Sequence, residues 1–223
     1  MNDHVIVVDD FLDDPEAVRR FALSIDYVPA WGSWRGQHSL ERHPDTKEAL
    51  FEISRLVSDC MPNWTEIDES YRYWKKASAG GFATMMEGDE GVVHAHRRSG
   101  DWAAVIYLSK REDCWSRDGT IFLQHKRTGI DRISRTRPPT VEERIAIEDF
   151  AQADAWIPTS AVPMRFNRLT LFDSSYIHCA SRGFGTDLES CRLIQVFNFC
   201  SPEDGNERSE LRCPPASFRA SSS

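Results

Sequence analysis

Val92-Val93-His94-Ala95-His96-Arg97-Arg98-Ser99-Gly100-Asp101-Trp102-Ala103-Ala104-Val105-Ile106-Tyr107-Leu108 is the stretch that decides the fold. Two apolar-start runs, Val92 to His96 and Trp102 to Ser109, flank a polar turn, and the second is rich in residues that suit a pleated, half-buried surface. The pattern continues on both sides. Tyr71 to Ala77 and Phe82 to Met86 precede it and Thr120 to Leu123 follows, with Gly, Asp or Ser between the runs. This is the spacing of an antiparallel sandwich or barrel.

Further out, Val5 to Val8 is a β-branched run that gives way to Asp13-Asp14-Pro15, where Asp14 caps a helix and Pro15 fits its first turn. Val18, Phe21 and Ala22 then share one helical face. Asp45 with Glu48 announces a second helix carrying Leu50, Ile53 and Val57, and the two helices are expected to pack on one side of the sheet. Thr140 with Glu143 forms a capping box for an inserted helix reaching about Gln152. The last three strands are read at Arg168 to Asp173, Tyr176 to Cys179 and Arg192 to Phe199. Ser201 to Ser223, rich in Ser, Pro and charge, reads as a flexible tail, so residues 1–200 are expected to form a single domain and 201–223 an appendage.

Composition narrows the function. Of 223 residues, 40% are apolar and the net charge is −8, with no dense Lys/Arg block, which makes nucleic acid a poor partner. No apolar stretch approaches the ~20 residues needed to cross a bilayer, and the start Met1-Asn2-Asp3-His4 lacks the basic character of a signal peptide. A cytoplasmic location with no membrane partner is expected. The six cysteines are scattered without a C-x-x-C, which suggests reduced thiols rather than a disulfide scaffold or zinc knuckle. There is no Gly-x-Ser-x-Gly and no Ser/His/Asp series, which disfavours an ordinary hydrolase.

Among seven histidines the close pair is His94-Ala95-His96. Residues i and i+2 of a strand point to the same face, so both imidazoles can aim at one point. His178, on another short strand, is a third that a barrel can bring to the same mouth. The alternative for the pair is two solvent-facing imidazoles at a strand end.

The ordered series resembles the prolyl-hydroxylase-like branch of the Fe(II)/2-oxoglutarate-dependent oxygenase superfamily. It comprises His94-Ala95-His96, Asp101 to Leu108, Gly119-Thr120-Ile121-Phe122, Asn167 to Asp173, His178 and Arg192 to Phe197. Within that branch it is similar to a bacterial family with the opening Val8-Asp9-Asp10-Phe11-Leu12-Asp13-Asp14-Pro15. The likeness runs from Val5 to Phe199. It implies a mainly β fold with flanking helices, a double-stranded β-helix (jelly-roll, cupin-like) barrel. It also implies an oxidoreductase that couples Fe(II), 2-oxoglutarate as co-substrate and dioxygen to oxidation, typically hydroxylation, of a small-molecule or carrier- or peptide-bound substrate.

Position by position, the resemblance makes His94 the first metal ligand and His178 the distal one, with Arg192 gripping the distal carboxylate of the keto acid. An Arg pairing with a surface carboxylate is the competing reading of Arg192. Tyr107 matches a position from which a phenol helps hold the co-substrate, although a core Tyr with a satisfied hydroxyl fits as well. Where the family has a carboxylate ligand, this chain has His96. Three readings of that departure follow. His96 is the third ligand of a 3-His site, as in thiol dioxygenases that need no keto acid; or Asp101 folds back across the Arg97-to-Gly100 turn as an alternative metal ligand; or the chain is a non-catalytic, cupin-like metal- or ligand-binding protein.

Weaker signals complete the reading. Glu87, Asp89 and Glu90 form an acidic turn, in which Glu90 could orient a ligand imidazole. His125 reads as a surface histidine at a strand end with a substrate contact as the alternative. The Gly183-Phe184-Gly185 loop does not suit a phosphate cradle. Trp31 and Trp34, with Arg35 and Gly36, sit in an irregular segment that could cover the barrel mouth.

Overall fold

Side-chain alternation along β10 (Arg192–Phe199) organises the molecule. Leu193, Phe197 and Phe199 face one apolar cluster with the helices, whereas Ile194 and Val196 face a second with Tyr107 and Met164. The computed structural model describes residues 5–30, 35–61, 67, 79–96, 101–110 and 119–200. Within them the chain runs β1 (Val5–Val8), α1 (Pro15–Ser24), β2 (Tyr27–Pro29), β3 (Gln37–Arg42), α2 (Thr46–Cys60), β4 (Ala79–Met85), β5 (Trp102–Tyr107) and β6 (Gly119–His125). Then follow α3 (Val141–Glu148), β7 (Trp156–Pro163), β8 (Leu169–Asp173), β9 (His178–Ala180) and β10.

Seven strands form one antiparallel sheet in the order β1-β8-β5-β10-β4-β3-β2, and three form a second, β7-β6-β9. A reciprocal bridge between His94 and His178 adds one more position to the edge of the smaller sheet. The sheets face each other with apolar residues from both, among them Phe122 of β6 and Phe172 of β8, whose rings meet edge to face at 5.3 Å. No strand pairing joins the sheets among the described residues, so the jelly roll is a double-layered sandwich rather than a closed barrel.

The outer face of the large sheet is covered by α1 and α2 as the pattern predicts, with Ala22, Leu50, Ile53 and Val57 fully buried against Phe82, Ala104, Ile106 and Leu171. Asp14 caps α1 by accepting from the Ala17 amide at 2.9 Å. Asp45 does not cap α2 in this way: its backbone (φ −82, ψ 12) is close to helical, so its carboxylate is not turned back towards the first turn. Thr140 and Glu143 form both bonds of the expected box, and α3 ends at Glu148, four residues short of the expected limit.

Three strands carry no readable alternation. β3 is a polar sequence, and β7, at the edge of its sheet, is exposed along most of its length and holds Pro158 and Pro163. β2 has only three residues. Val92 to His96, read as a strand, contributes a single bridge instead of a ladder. Tyr71 to Ala77, the Arg97-to-Gly100 turn, Trp31, Trp34 and the 201–223 segment lie outside the described residues.

Candidate metal centre

The smaller sheet places the histidines. His94 and His178 exchange both backbone hydrogen bonds at 2.9 Å, and the His96 amide donates to the Ser174 carbonyl at 2.9 Å. One ring nitrogen from each of His94, His96 and His178 lies within 4.8 Å of the others, and this is the only such group of His, Cys, Asp or Glu among the described residues. His96 and His178 are buried and His94 is half-buried.

Their protonation follows from that burial. Desolvation holds the His94 imidazolium below its ordinary range, and pushes His96 and His178 well below it, with charge repulsion from neighbouring imidazoles and, for His96, from Arg135 adding to the effect. All three are therefore neutral near pH 7. The Nδ1 of His94 meets the Val92 carbonyl and that of His178 meets the Tyr176 carbonyl, each at 2.8 Å. A carbonyl only accepts, so both Nδ1 atoms carry the proton and both Nε2 atoms keep a bare lone pair. This backbone contact is the support that metal-binding imidazoles commonly have.

The Nε2 atoms of His96 and His178 are 3.2 Å apart. Neighbouring nitrogens at ~2.1 Å from one ion are separated by about 3.0 Å in octahedral and about 3.4 Å in tetrahedral geometry. The donor set thus fits a divalent transition metal held by imidazoles. Phe122 and Phe172 pack on His178 at 6.4 and 4.7 Å between ring centroids, giving the centre an apolar wall.

Arg192 and Tyr107 come together at one end of β6. Arg192, 2% exposed, donates from Nη2 to the Gly119 carbonyl at 3.2 Å, and its Nη1 lies 3.9 Å from the Met85 sulfur. Tyr107, fully buried, shares a 2.8 Å hydrogen bond with the Thr120 hydroxyl. Gly119 has φ +150, and a Cβ there would meet the Val162 carbonyl oxygen at 1.9 Å, so only glycine places its carbonyl beneath Arg192. From Thr120, two residues along the same face bring Phe122, in register with His178. That step is ~6.8 Å.

Asp101 points elsewhere. Its carboxylate accepts from Arg135 Nη1 at 2.7 Å, and Arg135 also reaches Asp173 at 3.2 Å. The expectation of a surface histidine at His125 is corrected: it is 1% exposed, bonded to Thr128 at 2.8 Å and Asp149 at 3.0 Å, and packed on Trp156 within its own small core. Asp89 accepts from the Met86 amide as a turn residue, and the Gly183–Gly185 loop packs on that turn. Gly119, Thr120 and Arg135 were not singled out as site residues in the sequence. A glycine opening a strand was the one available signal.

Fold and site together define an antiparallel jelly roll with a cluster of three histidines between its sheets. Among solved structures, the chain is similar to SnoK, a non-heme alpha-ketoglutarate-dependent carbocyclase from nogalamycin biosynthesis (TM-score 0.51, 11% identity, 86% of this chain and 78% of that one). It is also similar to a prolyl hydroxylase from Trichoplax adhaerens, solved with a hypoxia-inducible-factor peptide (TM-score 0.50, 14% identity, 93% of this chain and 88% of that one). At these identities the likeness is one of fold. No protein-family model matches the sequence, and no curated protein matches it.

Proposed function

We propose that the chain is an Fe(II)-dependent oxygenase that consumes 2-oxoglutarate and dioxygen while oxidising an organic substrate. The observation that carries this reading is the convergence of three neutral imidazoles, two buried and one half-buried, on one point of an oxygenase fold. His94, His96 and His178 would hold the metal, His96 taking the place of the usual carboxylate in preference to Asp101, whose oxygen is held by Arg135. Bound Fe(II) and 2-oxoglutarate supply the oxidising power, since decarboxylation of the keto acid to succinate is coupled to activation of dioxygen.

The chain's own residues bind and orient. Arg192 presents a planar fork that suits the distal carboxylate, and Tyr107 a phenol beside it. Their distance from the histidines along β6 is comparable to the length of a five-carbon dicarboxylate. Phe122, Phe172 and Val162 exclude water from one side of the centre. Residues 1–200 would act as one domain, with the N-terminal helices buttressing the large sheet and 201–223 as an appendage.

Anaerobic titration of the full chain with Fe(II) and then 2-oxoglutarate tests the proposal. A visible charge-transfer band of the chelated keto acid is expected, and His178→Ala should lose both metal and band while keeping its far-ultraviolet circular dichroism. Absence of the band in protein with bound iron would refute keto-acid use. One observation favours a second reading in that event: with His96 as ligand the centre keeps its full +2 charge, which suits direct binding of an anionic substrate, such as a thiolate, to the metal.

A further inference from the structure

Four arginines punctuate the segment after β6: Arg127, Arg132, Arg135 and Arg137. Three have carboxylate partners. Arg127 lies 3.6 Å from Asp149, Arg135 reaches Asp101 at 2.7 Å and Asp173 at 3.2 Å, and Arg137 reaches Glu143 at 2.7 Å. Arg132 has none within ion-pair distance among the described residues, and it is exposed. Its guanidinium lies over the ring of Tyr176, 4.1 Å from the centroid, and donates through Nη2 to the Tyr176 hydroxyl. Nε and Nη1 have no acceptor among the described residues.

The position of this cation is fixed by the backbone. Arg132 is bridged to Tyr176, with the Ile133 amide bonded to the Ser175 carbonyl at 2.9 Å and the Ile177 amide to the Asp131 carbonyl at 2.8 Å. Tyr176 is 1% exposed, packs on Phe122 at 5.8 Å, and through its carbonyl orients His178. Arg132 therefore sits at the rim of the histidine cluster. Arg192 belongs to the opposite end of the strands, with Tyr107 and Gly119, so the cluster has a cation towards each end. A guanidinium held face-down on an aromatic ring turns its N–H edge outward, in the orientation that takes a planar carboxylate.

We propose that the molecule bound at this rim carries a carboxylate, which Arg132 receives. Calling that molecule the substrate rests on the oxygenase reading; the binding site itself does not. The probes are 3-phenylpropionate and its uncharged twin 3-phenylpropionamide, titrated calorimetrically into the full chain and into Arg132→Ala, Arg132→Lys and Arg192→Ala. The carboxylate is expected to bind at least about ten-fold more tightly than the amide. Arg132→Ala should abolish the preference, Arg132→Lys should restore part of it, and Arg192→Ala should leave it intact. Equal affinities, a preference untouched by Arg132→Ala, a preference lost only in Arg192→Ala, or no binding of either probe would each overturn the proposal. An Arg132-dependent preference in a chain that takes up no Fe(II) through its histidines would uphold the carboxylate site and refute the oxygenase reading.

Discussion

If the proposed function holds, replacing Arg192 should separate keto-acid binding from metal binding. In Arg192→Ala the buried guanidinium disappears, and with it the donor to the Gly119 carbonyl. A charge-assisted hydrogen-bonded pair is worth ~1.5 to 3 kcal/mol, so 2-oxoglutarate affinity should fall by roughly ten- to more than hundred-fold. Arg192→Lys keeps the charge but offers a single point of contact, and should recover only part of the loss. Iron uptake should persist in both, because the histidines are held by Val92, Ser174 and Tyr176 on the other side of the cleft. The assay is the charge-transfer band followed against 2-oxoglutarate in iron-loaded protein under argon, with metal content measured on the same samples. Wild-type affinity in both variants would refute the reasoning; Arg168, the nearby alternative, is already bonded to Asp9 at 2.6 and 3.1 Å.

Two further outcomes are expected. If His96 is a ligand, His96→Ala should weaken Fe(II) binding about ten-fold or more, His96→Asp should restore it, and Asp101→Ala should be nearly silent; calorimetric metal titrations giving the reverse ranking of His96→Ala and Asp101→Ala would reassign the third ligand. Glu143→Gln should lower stability at neutral pH by ~1 to 2 kcal/mol, because Arg137 and the Ser134 and Thr140 amides all bond its carboxylate. Although burial opposes it, these contacts hold the Glu143 carboxyl below its ordinary 4.5 when folded, so its contribution is complete above that value and is lost as pH falls through the folded value. Urea midpoints of wild type and variant should therefore converge in acid, and a constant gap across pH would refute the ionic origin.

The elements legible in the sequence are those whose burial is one-sided or complete. α1 and α2 showed apolar stripes because each covers one face of the large sheet, and β5, β8 and β10 showed apolar runs because both of their faces are buried, one under the helices and one in the cleft. β3 and β7 were silent for the opposite reason. β7 exposes both faces at a sheet edge, so nothing selects its side chains for alternation, and its place is set by pairing to β6 over seven residues. Asp45 marks where sequence logic misled: the residue type was right for a cap, but the backbone at that position closes on His43 instead.

The histidine cluster was legible in its residues and not in its surroundings. An i, i+2 histidine pair and a late histidine can be counted along a chain, but the partners that tune them come from turns. Asp101, the carboxylate nearest in sequence to the missing one, is joined with Asp173 to Arg135. Under the proposed function His96 stands where the resemblance implies a carboxylate, and the nearby carboxylates are tied into an ionic cluster instead. Arg135 repels a proton from His96, adding to the burial that keeps this imidazole neutral. A carboxylate in the ligand position would have brought its own negative charge and needed no such help. An imidazole ligates only when unprotonated, so a cation fixed by two aspartates outside the cluster stabilises the state that His96 would need to hold a metal. In the proposed centre the same cation would disfavour an incoming metal charge and the paired aspartates would offset it, while three imidazoles would leave the metal one charge more positive than two imidazoles and a carboxylate would.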